Sequence, residues 1–149
     1  MKVYIGSDHQ GFHLKEAVEA WLKKEGIEVE DVGDRKLDPN DDYPQFAQKA
    51  AHKVLTSEDS DPRAILICGG GQGMAMAANR FKGIRAAVVW DEYEAKMTRI
   101  DNDSNVLSLP ARILDGDINN VKNIVTTWLE TKFSAAPRHQ RRNHELDDI

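Results

Sequence analysis

The sequence predicts an α/β protein with a parallel sheet covered by helices on both faces. Strand-like and helix-like segments alternate five times, and several of the strand-like ones are apolar throughout. Uninterrupted apolar strands belong to sheets buried on both sides. A third observation shows where such a sheet would act. In Ile65-Leu66-Ile67-Cys68-Gly69-Gly70-Gly71-Gln72-Gly73-Met74 an apolar run ends in the only cysteine, four glycines follow, and an Ala/Met segment continues. This reads as strand, tight turn and helix, with free N–H groups and the positive end of a helix dipole beside a thiol.

Lys2 to Gly6 predicts the first strand and Ser7 to Gly11 a polar turn. Phe12, Ala17, Val18, Trp21 and Leu22 recur at helical spacing up to Lys24, and Gly26 ends that helix. Ile27 to Val32 is a weakly alternating strand, and Gly33 to Asp42, with Pro39-Asn40, is a loop. Tyr43, Phe46, Ala47, Ala50, Ala51, Val54 and Leu55 share one helix face. Arg63 to Ile67 is the third strand, and the helix after the glycines ends near Phe81-Lys82-Gly83. Ile84 to Trp90 predicts a fourth, continuously apolar strand. Asp91 caps a helix to about Arg99, with Glu94 at the capping-box position. Asn105 to Leu109 is the fifth strand, and Ile118 to Phe133 carries the last apolar helix face. A polar tail follows Pro137, and its acidic end, Glu145 to Ile149, has no reading beyond a mobile terminus.

The length of 149 residues suits one domain, 1–149, with a single core. The net charge of −5 argues against nucleic acid or a membrane surface as partner. No apolar run approaches the ~20 residues that span a bilayer. One cysteine excludes an intrachain disulfide and a cysteine-cluster metal site. With no signal-peptide pattern, the chain is read as cytoplasmic.

In parallel sheets ligands bind beyond the carboxyl ends of the strands, near a topological switch point. Three turns qualify: Ser7 to Gly11, Cys68 to Gly73, and the turn at Trp90-Asp91. Cys68 is either a small buried hydrophobe or a reactive thiol, and an adjacent helix start favours the thiolate. The glycine run lacks the Lys-Ser/Thr of a P-loop and the third glycine of a dinucleotide turn, so a packing turn is its plain alternative. Asp8-His9 is a capping pair or a catalytic pair. Arg99 to Asn105 forms a loop and its caps, and Arg138 to Arg142 is a solvated patch or a phosphate clamp.

Together these segments make the chain resemble the ribose-5-phosphate isomerase type B family, which includes the galactose-6-phosphate isomerase subunits. The resemblance rests on Gly6-Ser7-Asp8-His9-Gln10-Gly11-Phe12-His13-Leu14-Lys15, Asp42-Tyr43-Pro44, Cys68-Gly69 through Gly73-Met74, and Ala77-Ala78-Asn79-Arg80. It continues through Gly83-Ile84-Arg85-Ala86-Ala87, Asn102-Asp103-Ser104-Asn105-Val106-Leu107, Ala111-Arg112 and Arg138-His139-Gln140-Arg141-Arg142.

The resemblance implies a three-layer α/β/α Rossmann-like fold with a five-stranded parallel sheet. It implies an aldose–ketose isomerase of a phosphorylated sugar, without cofactor or metal. The protein would be a homodimer, sometimes paired into a tetramer, with sites at the subunit interface and the tail, about 134–149, on or near a partner. Cys68 would move the proton between C2 and C1, since Met74 replaces the glutamate that is the base in other members. The N–H groups of Gly70 to Met74, with Gly69, Gly71 and Gly73 shaping the turn, would hold the enediolate oxygens. Asp8, His9 and Asn102 would line the sugar. Arg112, Arg138 and Arg142, with His139, would bind the phosphate. Gly70 stands where the family usually has threonine or serine, and Asp101 where it usually has a histidine proposed to open the furanose ring. Asp101, with His9, is expected to take over ring opening, or else to cap the turn and leave ring opening to solution. The expected substrate is ribose 5-phosphate. The alternatives are another sugar phosphate, such as a hexose 6-phosphate, or a non-catalytic sugar-phosphate-binding module.

Overall fold

The computed structural model describes residues 1–149. Strand β1 (Lys2–Ser7) leads through a 3-10 turn, His9–Gly11, into α1 (Phe12–Lys24), followed by β2 (Glu28–Asp31) and α2 (Tyr43–Leu55). Then come β3 (Pro62–Cys68), α3 (Gln72–Ala78), β4 (Ala86–Val88), α4 (Glu92–Asn102) and β5 (Val106–Pro110). The chain ends in α5 (Ala111–Leu114), α6 (Ile118–Glu130) and α7 (Pro137–Glu145). Every strand pair is parallel, in the order β2-β1-β3-β5-β4.

Alternation along the central strand divides the core into two layers. Ile65 and Ile67 of β3 face α1 and α6, packing with Leu14, Val18, Leu22, Ile124 and Trp128. Ala64, Leu66 and Cys68 face α2 and α3, packing with Phe46, Ala50, Ala51, Met74 and Ala78. All these β3 residues are at most 5% exposed, which explains the unbroken apolar run. Burying a side chain of this size contributes roughly 1.5–3 kcal/mol. Two buried arginines close the far end of α6, where backbone carbonyls lack helical partners. Arg63 Nη1 donates to the carbonyls of Trp128 and Leu129, and Arg99 Nε to that of Thr131. No helix is long and apolar enough to cross a membrane.

Four local expectations change. The fourth strand is Ala86–Val88, not Ile84 to Trp90, because β4 is an edge strand paired only with β5, and these three residues are half-buried. Helix α4 passes Arg99 and stops at Asn102, where Asp103 adopts a left-handed C-cap (φ 47°), so Asp101 is helical. The polar tail forms α7, whose one buried residue is His139. With no apolar stripe there is no periodicity to announce it. The acidic end is also tied down, since Asp147 Oδ1 accepts from the Gly83 N–H at 2.8 Å.

Candidate active site

The chain leaves β1 toward β2 on one side and returns to β3 on the other, so the turns beyond these two strands flank a switch point. They interlock: the Asp8 N–H donates to the Ile67 carbonyl at 3.3 Å. The third expected turn, Trp90-Asp91, follows edge strand β4, two strands away from β3.

Cys68 is the last residue of β3 and 5% exposed. Its Sγ accepts a hydrogen bond from the Gly71 N–H at 3.2 Å. That geometry requires the turn to reverse at once. Gly71 has φ +70°, and a Cβ there would lie 3.2–3.3 Å from Val88, Leu109 and Pro110. Gly73 serves another purpose, because a Cβ would meet the Tyr43 ring at 2.6 Å. The tyrosine therefore lies flush against the start of α3. Met74 is fully buried beneath, so only its backbone is offered to a ligand.

Asp8, His9 and Gln10 each do a different task. Asp8 Oδ1 caps the 3-10 turn, accepting from the Gln10 and Gly11 N–H groups at 2.9 and 3.1 Å. Burial pushes its carboxyl above the ordinary range, against the pull of those amides. His9 Nδ1 lies 2.7 Å from Asp41 Oδ1, which also accepts from the His9 N–H at 3.0 Å. The Asp41 hydrogen bond raises the His9 pKa above its usual value. Gln10 Oε1 accepts from Arg112 Nε at 3.1 Å, and the Arg112 N–H donates to the Gly69 carbonyl at 3.0 Å. An exposed cation is thereby fixed beside the glycine turn. Asp8, His9 and Asp41 bring one potential metal-ligand atom each within 4.8 Å of one another. Those groups already hydrogen-bond one another or the backbone, which accounts for the cluster without an ion.

The remaining expected residues lie elsewhere. Asn102 ends α4 and its carbonyl accepts from Arg85 Nε, just before β4 and so at the amino edge of the sheet. In the register of β3 with β5, Ala64 faces Val106 and Cys68 faces Pro110. Four residues of strand separate the two edges by about 13 Å. Asp101 Oδ1 is 3.6 Å from His139 Nε2, which accepts from Arg138 Nε at 3.1 Å, while His139 Nδ1 meets Ser134 Oγ at 2.8 Å. Arg138 and Arg142 are exposed on α7. A cavity of about 720 Å³ adjoins this second group, with Arg80, Phe81, Ile84, Arg85, Asn102 and Leu146 in its wall. It does not lie over Cys68. One chain thus brings together Cys68, the glycine turn, Asp8, His9 and Arg112, and keeps Asp101, Asn102, Arg138, His139 and Arg142 apart from them.

Sequence reasoning passed over Asp41, Gln10 and Tyr43 as site residues. An acidic residue in a polar loop carries no signal of its own. Tyr43 stands in the Asp42-Tyr43-Pro44 segment, but its place beside the glycine turn shows only in the ring contact that requires glycine at position 73.

A model of the ribose/galactose isomerase family matches residues 3–146. A probable ribose-5-phosphate isomerase B of Mycoplasma genitalium is 44% identical over 140 residues, covering 94% of this chain and 90% of that protein. The crystal structure of a ribose 5-phosphate isomerase from Thermotoga maritima superposes with a TM-score of 0.92 at 41% identity, covering 99% of this chain and 98% of that one. A structure of ribose-5-phosphate isomerase B from Mycoplasma genitalium with bound ribulose 5-phosphate has a TM-score of 0.91 at 39% identity, covering 99% of this chain and 94% of that one.

Proposed function

The chain belongs to the ribose/galactose isomerase family, and from that premise we propose that it interconverts ribose 5-phosphate and ribulose 5-phosphate as an aldose–ketose isomerase. The observation that carries the mechanism is the Gly71 N–H aimed at Cys68 Sγ. A donor on the sulfur is the contact a thiolate needs. The thiolate takes the C2 proton of the open-chain aldose, leaving an enediolate, and returns it to C1. A second proton passes from the C2 hydroxyl to O1, so the aldehyde becomes a hydroxymethyl group and C2 a ketone. The turn N–H groups from Gly70 to Met74 stabilise the charge that develops on oxygen. Asp8 and His9 line the sugar, and Arg112 binds the phosphate. None of these steps calls for a metal or cofactor, and a catalytic free thiol suits the reducing cytoplasm.

The two groups of residues lead to a homodimer. Asp101, Asn102, Arg138 and Arg142 reach a Cys68 crevice only if a second copy brings its α4–α7 edge to it, and two-fold symmetry then completes two equal sites. Asp101, in contact with His139, is the group proposed to open the sugar ring.

Turnover of ribose 5-phosphate by chelator-treated protein, beside Cys68→Ser, tests this reading. The expected result is activity in the wild type and none in the variant. Full activity in Cys68→Ser would remove the base, and an inactive wild type would remove the substrate. A panel including hexose 6-phosphates then decides whether the specificity lies elsewhere in the family.

A further inference from the structure

The proposed mechanism gives Asp41 no part, yet its carboxylate is committed to a single neighbour. The side chain is 6% exposed, and both of its hydrogen bonds go to His9, one to the backbone N–H and one to Nδ1. A carboxylate removed from water this far must be compensated by its partners. Since an ionised carboxylate only accepts, His9 Nδ1 must donate, which selects one tautomer. The ring is 32% exposed, and Nε2 is its one polar atom left for a ligand. The flanking residues are already placed at the crevice, Asp8 beneath it and Gln10 holding Arg112.

The loop that delivers Asp41 is itself fixed. Lys15 Nζ, buried in α1, donates to Asp31 Oδ2 at 2.5 Å and to the Asp34 carbonyl at 2.8 Å. Further along, Asp41 N–H donates to the Asp38 carbonyl, and Asp38 Oδ1 accepts from the Asn40 N–H.

We propose that Asp41 is a positioning residue of the isomerase: it locks His9 with a proton on Nδ1 and aims Nε2 at a substrate oxygen, to which the protonated ring donates. The proposal rests on the isomerase reading given above. The charged groups that act most strongly on the ring are acidic: Asp8 from the same turn, and Asp38 and Asp41 from the loop. Each favours the imidazolium, and the Asp41 hydrogen bond has the largest effect. His9 is thus protonated more readily than an unassisted histidine.

The test is Asp41→Asn, which keeps the shape and removes the charge, followed by NMR of the His9 ring nitrogens and by kinetics. In the variant the His9 midpoint should fall toward the ordinary value of 6.5. At a pH between the variant's His9 midpoint and the wild type's, KM for ribose 5-phosphate should rise by up to about tenfold, the scale of removing one charge-assisted hydrogen bond. The rise should shrink near pH 6, where either ring is protonated. In a His9→Gln background, Asp41→Asn should change KM by less than about twofold, because positioning acts through His9. An unchanged His9 titration, or the same KM rise without His9, overturns the proposal. The titration requires no substrate, so it still decides the role of Asp41 if the wild type fails to turn over ribose 5-phosphate.

Discussion

The Gly71 N–H meets Cys68 Sγ at 3.2 Å only because Gly71 sits at φ +70°, with Val88, Leu109 and Pro110 closed around its Cα. The sulfur's donor and the left-handed turn are therefore one feature. Gly71→Ala places a methyl in the left-handed region and against backbone atoms. It should destabilise the fold by about 2 kcal/mol and lower kcat as the amide leaves the sulfur. Urea denaturation and ribose 5-phosphate turnover measure the two effects together.

The neighbouring glycine behaves oppositely. A Cβ at Gly70 would meet nothing closer than Arg112 Nη1 at 3.7 Å and Gln72 Cγ at 3.9 Å, and its φ is not left-handed. Gly70→Ser, which restores the hydroxyl usual in the family, should stay within about 0.5 kcal/mol of the wild type. A melting-temperature drop like that of Gly71→Ala would contradict the space the structure shows.

Lys15 and Asp31 form an ion pair in which the side chains are 1% and 4% exposed. Lys15→Met leaves the carboxylate buried without its partner and should cost about 3 kcal/mol. Adding Asp31→Leu should recover much of that loss, because the pair's desolvation penalty is removed along with its attraction. Chemical denaturation of the single and double variants distinguishes this from a simple packing defect.

Asp101 is helical and 3.6 Å from His139 Nε2, and the C-cap of α4 is Asp103. If Asp101 assists ring opening, Asp101→Ala should slow ribose 5-phosphate turnover at least about tenfold. A four-carbon aldose 4-phosphate cannot close a furanose ring, so its turnover should fall far less. Equal losses on both substrates would assign Asp101 a purely structural role.

The raised pKa of His9 has a consequence for folding. The folded ring binds its proton more tightly than the unfolded one. The stability this contributes is complete below the ordinary value of 6.5 and is lost as pH rises through the higher folded value. Comparing the wild type with His9→Gln across that range should show the wild type's relative stability falling with pH. A rising or flat difference would mean that the Asp41 contact does not favour the imidazolium.

The sequence by itself determined the strand–helix alternation, the parallel sheet and the turn that ends β3. Each depends on local chemistry: apolar runs that need burial on both faces, and glycines where the backbone must reverse. The extents of helices α1 and α2 were legible because their apolar faces repeat every turn, although Ala17, Tyr43 and Leu55 are exposed and Leu14 and Lys15 are buried. The same reasoning missed α7, whose single buried residue leaves no pattern, and lengthened β4, whose apolar run does not reveal that it lies at the edge. Only the tertiary structure decided how the site residues group. Motifs far apart along the chain look equivalent in a sequence, whereas the order β2-β1-β3-β5-β4 brings His9, Asp41, Cys68 and Arg112 to one end of the sheet and sends Asp101 and α7 to the other. A buried carboxylate such as Asp41 acquires its meaning from the one imidazole it touches, and that pairing exists only after the chain has folded.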